Sequence, residues 1–359
     1  MGAPYEETIR DFIDKEKKTD NFKYFNKAQK YYKTLAERAS KARQVIDLYG
    51  FTLDQFGLCE MKLLPEYTGG YTIINELFDS KAFKENCKKA FEKDPEGEMR
   101  HGYHAEISVQ CSKHLQISGC IGQCVSLKKT SSMVSEYEVG KGGTTAWYLG
   151  GIDCNSTLAF YLDIPNKEDD IFIQKTGHLQ FVTQYRHPSG QSRMRVTTVS
   201  RKFMTTSYIK DLASGFDQEA AAVLIARQAV FRAEEDEPIS VIRWLDKKLI
   251  RLATEFGSYH SSDPNSYNLP KDFALFPQFI YYLRRSNFIK TTACSIDESV
   301  YYRTALCRDN TTNSLVMIQP ALLKYTLDNP QPQPVLLDIK SLQDDAVLLL
   351  DSFFHVVIW

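Results

Sequence analysis

The 359-residue sequence has no uninterrupted apolar stretch of about 18 residues, so no segment is long enough to cross a bilayer as a helix. The most apolar segments are broken at Arg227 and Asp351. Neither sign of charge dominates. Forty-four Lys and Arg face 45 Asp and Glu, for a net charge of −1, and no global field points to nucleic acid. A charge-driven partner has to be met by a local patch. No apolar leader is expected, since Gly2, Ala3 and Pro4 pass straight into charged residues. The eight cysteines (Cys59, Cys87, Cys111, Cys120, Cys124, Cys154, Cys294 and Cys307) follow no regular spacing. The expectation is thiols in a reducing compartment, most of them acting as small core residues.

Catalytic signatures are equally scarce. Lys141 sits among Gly140, Gly142 and Gly143, but the residue after it is Gly142 rather than Ser or Thr, so the phosphate-loop spacing fails. A glycine-rich hairpin turn is the expectation there. Cys120 and Cys124 have no matching second pair, and tetrahedral zinc needs two further ligands. His101 and His104 could join such a site, but read better as polar residues at a domain junction. No G-x-S-x-G elbow and no H-E-x-x-H helix occurs. Neither a catalytic residue nor a metal site is expected.

What is present divides into four regions, a multidomain α+β chain. Residues 1–103 hold a helix pattern from Phe22 to Ile46, then strand-like runs at 45–52 and 71–75. A helix capped by Ser80 follows and breaks at Asp94, Pro95 and Gly97. That alternation is a piece of an α/β sheet. Residues 104–203 change to a period of two, with Ile107, Val109 and Cys111, then Leu158, Phe160 and Leu162, then Leu179 and Phe181. Short strands at this spacing predict a β-sandwich or barrel. Residues 204–313 are helical. Ser214 with Asp217 suggests a capping box before Ala220–Glu235, and Gly257 closes a helix over 239–256. In residues 314–359, strands are expected at 315–318 and 334–338, and the chain ends in Phe353–Trp359. An end inside such an apolar run suggests a fragment cut within its last domain.

Two basic features stand out. Lys23, Lys27, Lys30, Lys33, Arg38 and Lys41 share one side of the first helix, with Glu37 the single acid among them. This face suits an anionic membrane surface or an acidic partner, or plain solvation. Arg193, Arg195 and Arg201 share one face of a strand, with Arg186 nearby.

Long strings carry a resemblance: LDQFGLCEMKLLPEYTGGYTIINELFDSKAFKENCKKAF, ISGCIGQCVSL, SEYEVGKGGTTAWYLGGI, LQFVTQYRHPSGQSRMRVTTVSRKF, SGFDQEAAAVLIARQAVFRAE, VIRWLDKKLIRL, FPQFIYYLRRSNF, SLVMIQPALLKYT and LLLDSFFHVVIW. In that order, from Lys23 onward, the chain resembles the Sec23 family, the GTPase-activating subunits of the inner COPII vesicle coat. The cargo-binding paralogue shares the architecture, but the strings at 180–198 and 216–227 look like the GTPase-activating member.

The resemblance implies a domain map. Residues 1–103 would be the last part of a von Willebrand A-like trunk and 104–203 most of the β-barrel. Residues 204–313 would be the all-α helical domain and 314–359 the start of a gelsolin-like domain. It implies a coat scaffold rather than an enzyme. Expected partners are a Sar-type small GTPase, the cargo-binding paralogue in a heterodimer, outer COPII coat proteins and the anionic ER membrane. The expected location is cytoplasmic, peripheral on that membrane and on COPII vesicles. The family's zinc finger, first trunk strands, an N-terminal part of the barrel and catalytic arginine finger have no counterpart in this sequence. Zinc is expected only in that finger, and no cofactor within these residues. Phe78, Asp79, Phe83 and Lys84 match a trunk loop and helix start expected near the GTPase and outer-coat contact; Phe78 and Phe83 could equally anchor the helix in a core. The face of Lys23, Lys27, Lys30, Arg38 and Lys41 is assigned to membrane or partner electrostatics. The gelsolin-like piece alone would suggest an actin- or calcium-binding protein, an analogy of fold only.

Overall fold

The structure is a computed structural model. It describes residues 20–53, 55–165, 176–204, 208–290, 294–326, 328–329 and 331–359. These form two compact units. One holds the described residues as far as Met204 together with the helix Ile296–Arg308; the other holds those from Tyr208 to Lys290 and from Asp309 onward.

The first unit opens with helix α1 (Asp20–Lys41). Phe25, Ala36 and Ala39 are buried, as the apolar pattern requires, while Tyr24 and Tyr31 stay exposed. The pattern predicts a helix as far as Ile46, but the helix ends at Lys41. Arg43 adopts left-handed backbone with φ 57°. Its N–H bonds Ser40 O, and Gln44 N–H bonds Ala39 O, both at 3.0 Å. This reciprocal closure satisfies the last carbonyls and stops the helix.

Strands β1 (Leu48–Phe51) and β2 (Thr72–Asn75) pair in parallel, Leu48 opposite Thr72. Between them lie the short helices α2 (Leu58–Met61) and α3 (Leu63–Thr68), and α4 (Lys81–Ala90) follows. The cap on α4 is as read: Ser80 Oγ accepts from Phe83 N–H at 3.1 Å.

The β-rich part contains β3 (His101–Cys111), β4 (Gln116–Ile121), β5 (Val125–Ser126), β6 (Ala146–Asp153), β7 (Ala159–Asp163), β8 (Thr176–Arg186) and β9 (Ser192–Lys202). One sheet runs β5-β6-β3-β8-β9, and β4 pairs with β7 in a second. Ala105, Ile107, Val109, Ile117, Cys120, Cys124, Trp147 and Leu149 form the core, with Phe160 and Phe181 packed against it. The alternation along β3 is what delivers Ile107 and Val109 to that core. Helix α3 reaches β6 backbone to backbone. A Cβ on Gly69 would stand 2.1 Å from Gly151 O, and one on Gly150 would stand 2.0 Å from Thr68 O. Only glycine permits that approach, and both residues also hold positive φ.

In the second unit, α5 (Ile209–Gly215), α6 (Gln218–Arg232), α7 (Pro238–Phe256) and α8 (Phe276–Leu283) supply most of the core. Helix α9 (Ile296–Arg308) belongs to the first unit. The capping box at Ser214 is corrected. Asp217 alone caps α6, accepting from Glu219 and Ala220 N–H, while Ser214 Oγ donates to Asp211 O inside the last turn of α5. The strand expected at 315–318 is instead the end of helix α10 (Thr311–Ile318), because Asn310 Oδ1 accepts from Asn313 N–H and starts a helix there. A four-stranded antiparallel sheet follows, β13-β12-β14-β15. It is built from β12 (Ala321–Thr326), β13 (Gln333–Val335), β14 (Ala346–Asp351) and β15 (Val356–Ile358), after a β10 (Ser258–His260) and β11 (Asp263–Asn268) hairpin.

Candidate docking surfaces and the joints beneath them

The α4 face is aromatic and open. Phe78 is 69% exposed and Leu77 is 59% exposed. Phe51, Phe78 and Phe83 form one cluster, with ring centroids 4.7 to 5.2 Å apart, and Tyr49 joins at 6.0 Å from Phe83. Phe83 is half-buried, whereas Asp79 and Lys84 are fully in solvent. Helix α4 has no buried residue at all. Phe78 is therefore not a core anchor in this structure. The four predicted residues are brought together on one surface, and Ser80 fixes the turn between Phe78 and Phe83. Lys81, Lys84, Lys88 and Lys89 of the same helix are exposed, and Lys88 pairs with Glu85 at 3.1 Å.

On α1, the side chains of Lys27, Lys30, Lys33, Arg38 and Lys41 are all exposed. Lys23 is in the helix, and its side chain lies outside the described set. The five described cations are free to meet an anionic surface. Glu37 is half-buried on the same helix.

The first unit also holds three polar joints that periodicity could not reveal. The glycine-rich segment at 140–143 is not a simple hairpin turn. Lys141 turns inward, its backbone bridges Cys120, and its Nζ pairs with Glu66 Oε1 at 2.6 Å and with Gly122 O at 3.0 Å. Burial alone would raise the Glu66 carboxyl, but the Lys141 charge overrides it and holds the group below its ordinary value. Burial opposes the charge on Lys141 as well, and Glu66 more than compensates, raising the ammonium pKa.

The second joint centres on Arg308 at the end of α9. Its guanidinium bonds Asp153 Oδ2 and Gly70 O, each at 3.1 Å, and lies 4.2 Å from the Tyr71 ring centroid. Tyr71 Oη donates to the same Asp153 oxygen at 2.6 Å and contacts His101 Nε2 at 3.0 Å. Burial and the hydrogen bond to Asp153 push the Tyr71 phenol upward. Against the cost of burial, Tyr71 and Arg308 hold Asp153 below its usual range. His101 is thus a polar residue of this joint; His104 lies elsewhere, at a bulge in β3.

In the third joint, Asp297 of α9 caps the start of α2. Its carboxylate accepts from the N–H groups of Phe56, Gly57 and Cys59 at 2.8 to 3.2 Å. Glu60 lies beside it, 3% exposed, and its Oε2 has no hydrogen-bond partner among the described residues. Burial, with the Asp297 charge adding to it, raises the Glu60 carboxyl. The Cys120 and Cys124 sulfurs approach to 3.9 Å in the core. Among the described residues, no group of three or more His, Cys, Asp or Glu is placed to hold a metal ion, and no helix is long and apolar enough to cross a membrane.

Three family models match in chain order. They are the Sec23/Sec24 trunk domain over residues 7–94, the Sec23/Sec24 beta-sandwich domain over 102–204 and the Sec23/Sec24 helical domain over 217–316. The chain belongs to the Sec23/Sec24 family. Its fold is also similar to the crystal structure of the human COPII-coat protein Sec24c, with a TM-score of 0.74 at 17% identity over 92% of this chain. The match spans 40% of the Sec24c chain. At that identity the likeness speaks for the fold alone. Within this Sec23/Sec24 chain, α9 falls in the range of the helical-domain match yet packs with the trunk and sandwich elements. Ile296 and Val300 share a buried cluster there with Phe25 and Leu58, and the Asp297 and Arg308 bonds add to it.

Proposed function

We propose that this chain is scaffold from an inner COPII coat subunit of the GTPase-activating type. The observation that carries the reading is the unbroken order of trunk, beta-sandwich and helical domains. The strings at 180–198 and 216–227 favour the GTPase-activating member over the cargo-binding one. In this reading, Phe78, Asp79, Phe83 and Lys84 form a docking patch for a Sar-type GTPase and the outer coat. The exposed rings supply apolar contact, and the exposed Lys84 beside them attracts acidic groups. The α1 cations serve electrostatic contact with anionic membrane or an acidic partner, at roughly 1 kcal/mol per cation near a charged leaflet. The subunit works peripherally on the ER membrane, paired with the cargo-binding paralogue.

An arginine finger stabilises charge on a transferring phosphoryl group and is worth roughly 10³ to 10⁵ in rate. No arginine of this sequence takes that part in the reading. The chain docks, and catalysis by its partner needs more than these residues. Co-elution of the purified chain with the cargo-binding paralogue on size exclusion tests the scaffold role. Separate elution of two folded proteins would count against it.

A further inference from the structure

We propose that Cys120 and Cys124 form a redox-modifiable dithiol, which hydrogen peroxide closes to a disulfide and a small cellular thiol reopens. The two Sγ atoms stand 3.9 Å apart, and both residues are fully buried in the sandwich core. A disulfide measures about 2.05 Å, so the sulfurs have about 2 Å to travel. The turn that presents them to each other is fixed from outside. Lys141 N–H donates to Cys120 O at 2.8 Å, and Lys141 Nζ donates to Gly122 O at 3.0 Å. Gly122 holds φ 147°, and a Cβ on it would stand 2.7 Å from the Leu158 side chain.

The same lysine supplies a charge. The hydrogen bond to Cys120 and the Lys141 ammonium hold the Cys124 thiol below its ordinary value, against burial and the Glu66 carboxylate. Tyr67 also faces the ammonium, its ring centroid 5.4 Å from Nζ. A thiol beside a fixed cation gives up its proton more readily and reacts first, so Cys124 attacks and Cys120 resolves. Cys111, packed against the same core, is the contrast: burial raises its thiol, and its Sγ donates to Leu115 O. A water-sized oxidant can come close to the pair. A hollow of about 260 Å³ is walled by Ile107, Leu149, Leu158 and Phe160 of the cluster that holds both sulfurs, and Gln123, between the two cysteines, lines it too.

The chemistry balances in two steps. The Cys124 sulfur attacks one oxygen of the peroxide and the O–O bond breaks. The departing hydroxide takes the thiol proton and leaves as water, with Cys124 as a sulfenic acid. The Cys120 sulfur then attacks the Cys124 sulfur. The S–S bond forms, the S–O bond breaks, and the second hydroxide leaves as water with the Cys120 proton. The two thiols have lost two electrons and two protons, and the peroxide has gained them. A small thiol such as glutathione reverses the change by exchange and is itself oxidised to its disulfide.

The dithiol does not depend on the coat reading, and its test needs no coat partner. The folded chain is treated with hydrogen peroxide, the remaining thiols are alkylated in denaturant, and the tryptic peptides are weighed. Cleavage after Lys113 and Lys128 releases a peptide that holds Cys120 and Cys124 and no other cysteine. That peptide is expected unalkylated and lighter by two hydrogens, and glutathione treatment should return it to two alkylated thiols. Cys120→Ala should instead leave Cys124 as a sulfenic acid, trapped by dimedone, whereas Cys124→Ala should leave Cys120 unreacted. In the Cys120→Ala background, Lys141→Met should move the pH profile of trapping upward, and Lys141→Arg should restore it. Melting temperatures identify the variants that are folded, and wild type decides the case by itself. A peptide that stays fully alkylated under peroxide sufficient to oxidise the exposed Cys154, or a disulfide from either residue to another cysteine, would overturn the proposal.

Discussion

Lys141 Nζ stands 2.6 Å from Glu66 Oε1, and the two side chains are only 19% and 28% exposed. The pair ties the loop before β6 to helix α3 and so fastens the trunk element to the sandwich. Removing one partner strands a largely buried charge. Lys141→Met is expected to cost about 3 kcal/mol, read from chemical denaturation. The double variant K141M/E66L should recover much of the loss, since no lone charge remains. A single variant as stable as wild type would show that the pair carries no load.

The Arg308–Asp153–Tyr71 joint sets an acid limit. Asp153 is held below its ordinary value, so its contribution is complete above the unfolded carboxyl pKa of about 3.9 and is lost as pH falls through the depressed folded value. Stability should therefore drop steeply below about pH 4, and Asp153→Asn should be less stable at neutral pH with a flatter acid limb. Arg308→Lys keeps the charge but loses the fork that reaches both Asp153 and Gly70, at a cost of about 2 kcal/mol. Thermal melts across pH 2 to 7 check both.

Glu60 works in the opposite direction. Burial raises its carboxyl, and Oε2 has no partner among the described residues, so the charged form penalises the fold above the unfolded glutamate pKa of about 4.3. Glu60→Gln should stabilise the protein at neutral pH, by about 1 kcal/mol. The advantage should vanish near pH 4, where wild type is protonated too. A destabilised variant at pH 7 would mean the carboxylate has a partner of value.

The exposed aromatic patch separates docking from packing. Phe78 is 69% exposed, so Phe78→Ala should change stability by less than about 1 kcal/mol. If the patch docks a partner, the same variant should weaken that binding at least ten-fold. Charge reversal at Lys27, Lys30 and Arg38 should weaken recruitment to anionic vesicles, more at low salt than at high salt. Unchanged recruitment would return that face to simple solvation.

Local signals were legible where one residue decides the structure. Ser80 announced the start of α4, and the alternation of Ile107 with Val109 announced β3. The period of Tyr32, Ala36 and Ala39 announced α1. Misreadings came where two local signals competed. Ser214 and Asp217 both cap well, and only the chain path chose Asp217. The apolar run at 315–318 suits a strand or a buried helix equally until Asn310 starts the helix. The joints were out of reach for another reason. Glu66 and Lys141 are 75 residues apart, and Asp297 meets Gly57 across 240. No periodicity spans such distances. The glycines at 69–70 and 150–151 were visible as glycines, but their meeting was not. The α1 cations were legible from helical spacing and the α4 patch through the resemblance, and the geometry of both only through the fold.

The central claim is a docking scaffold without its own catalytic arginine. The most direct test is a pull-down of the folded chain against the GTP-loaded Sar-type GTPase, run with a GTP-turnover assay on the same sample. The account predicts binding with no acceleration of turnover, and loss of binding with Phe78→Ala. Accelerated turnover, or no binding by a chain shown to be folded, would contradict it.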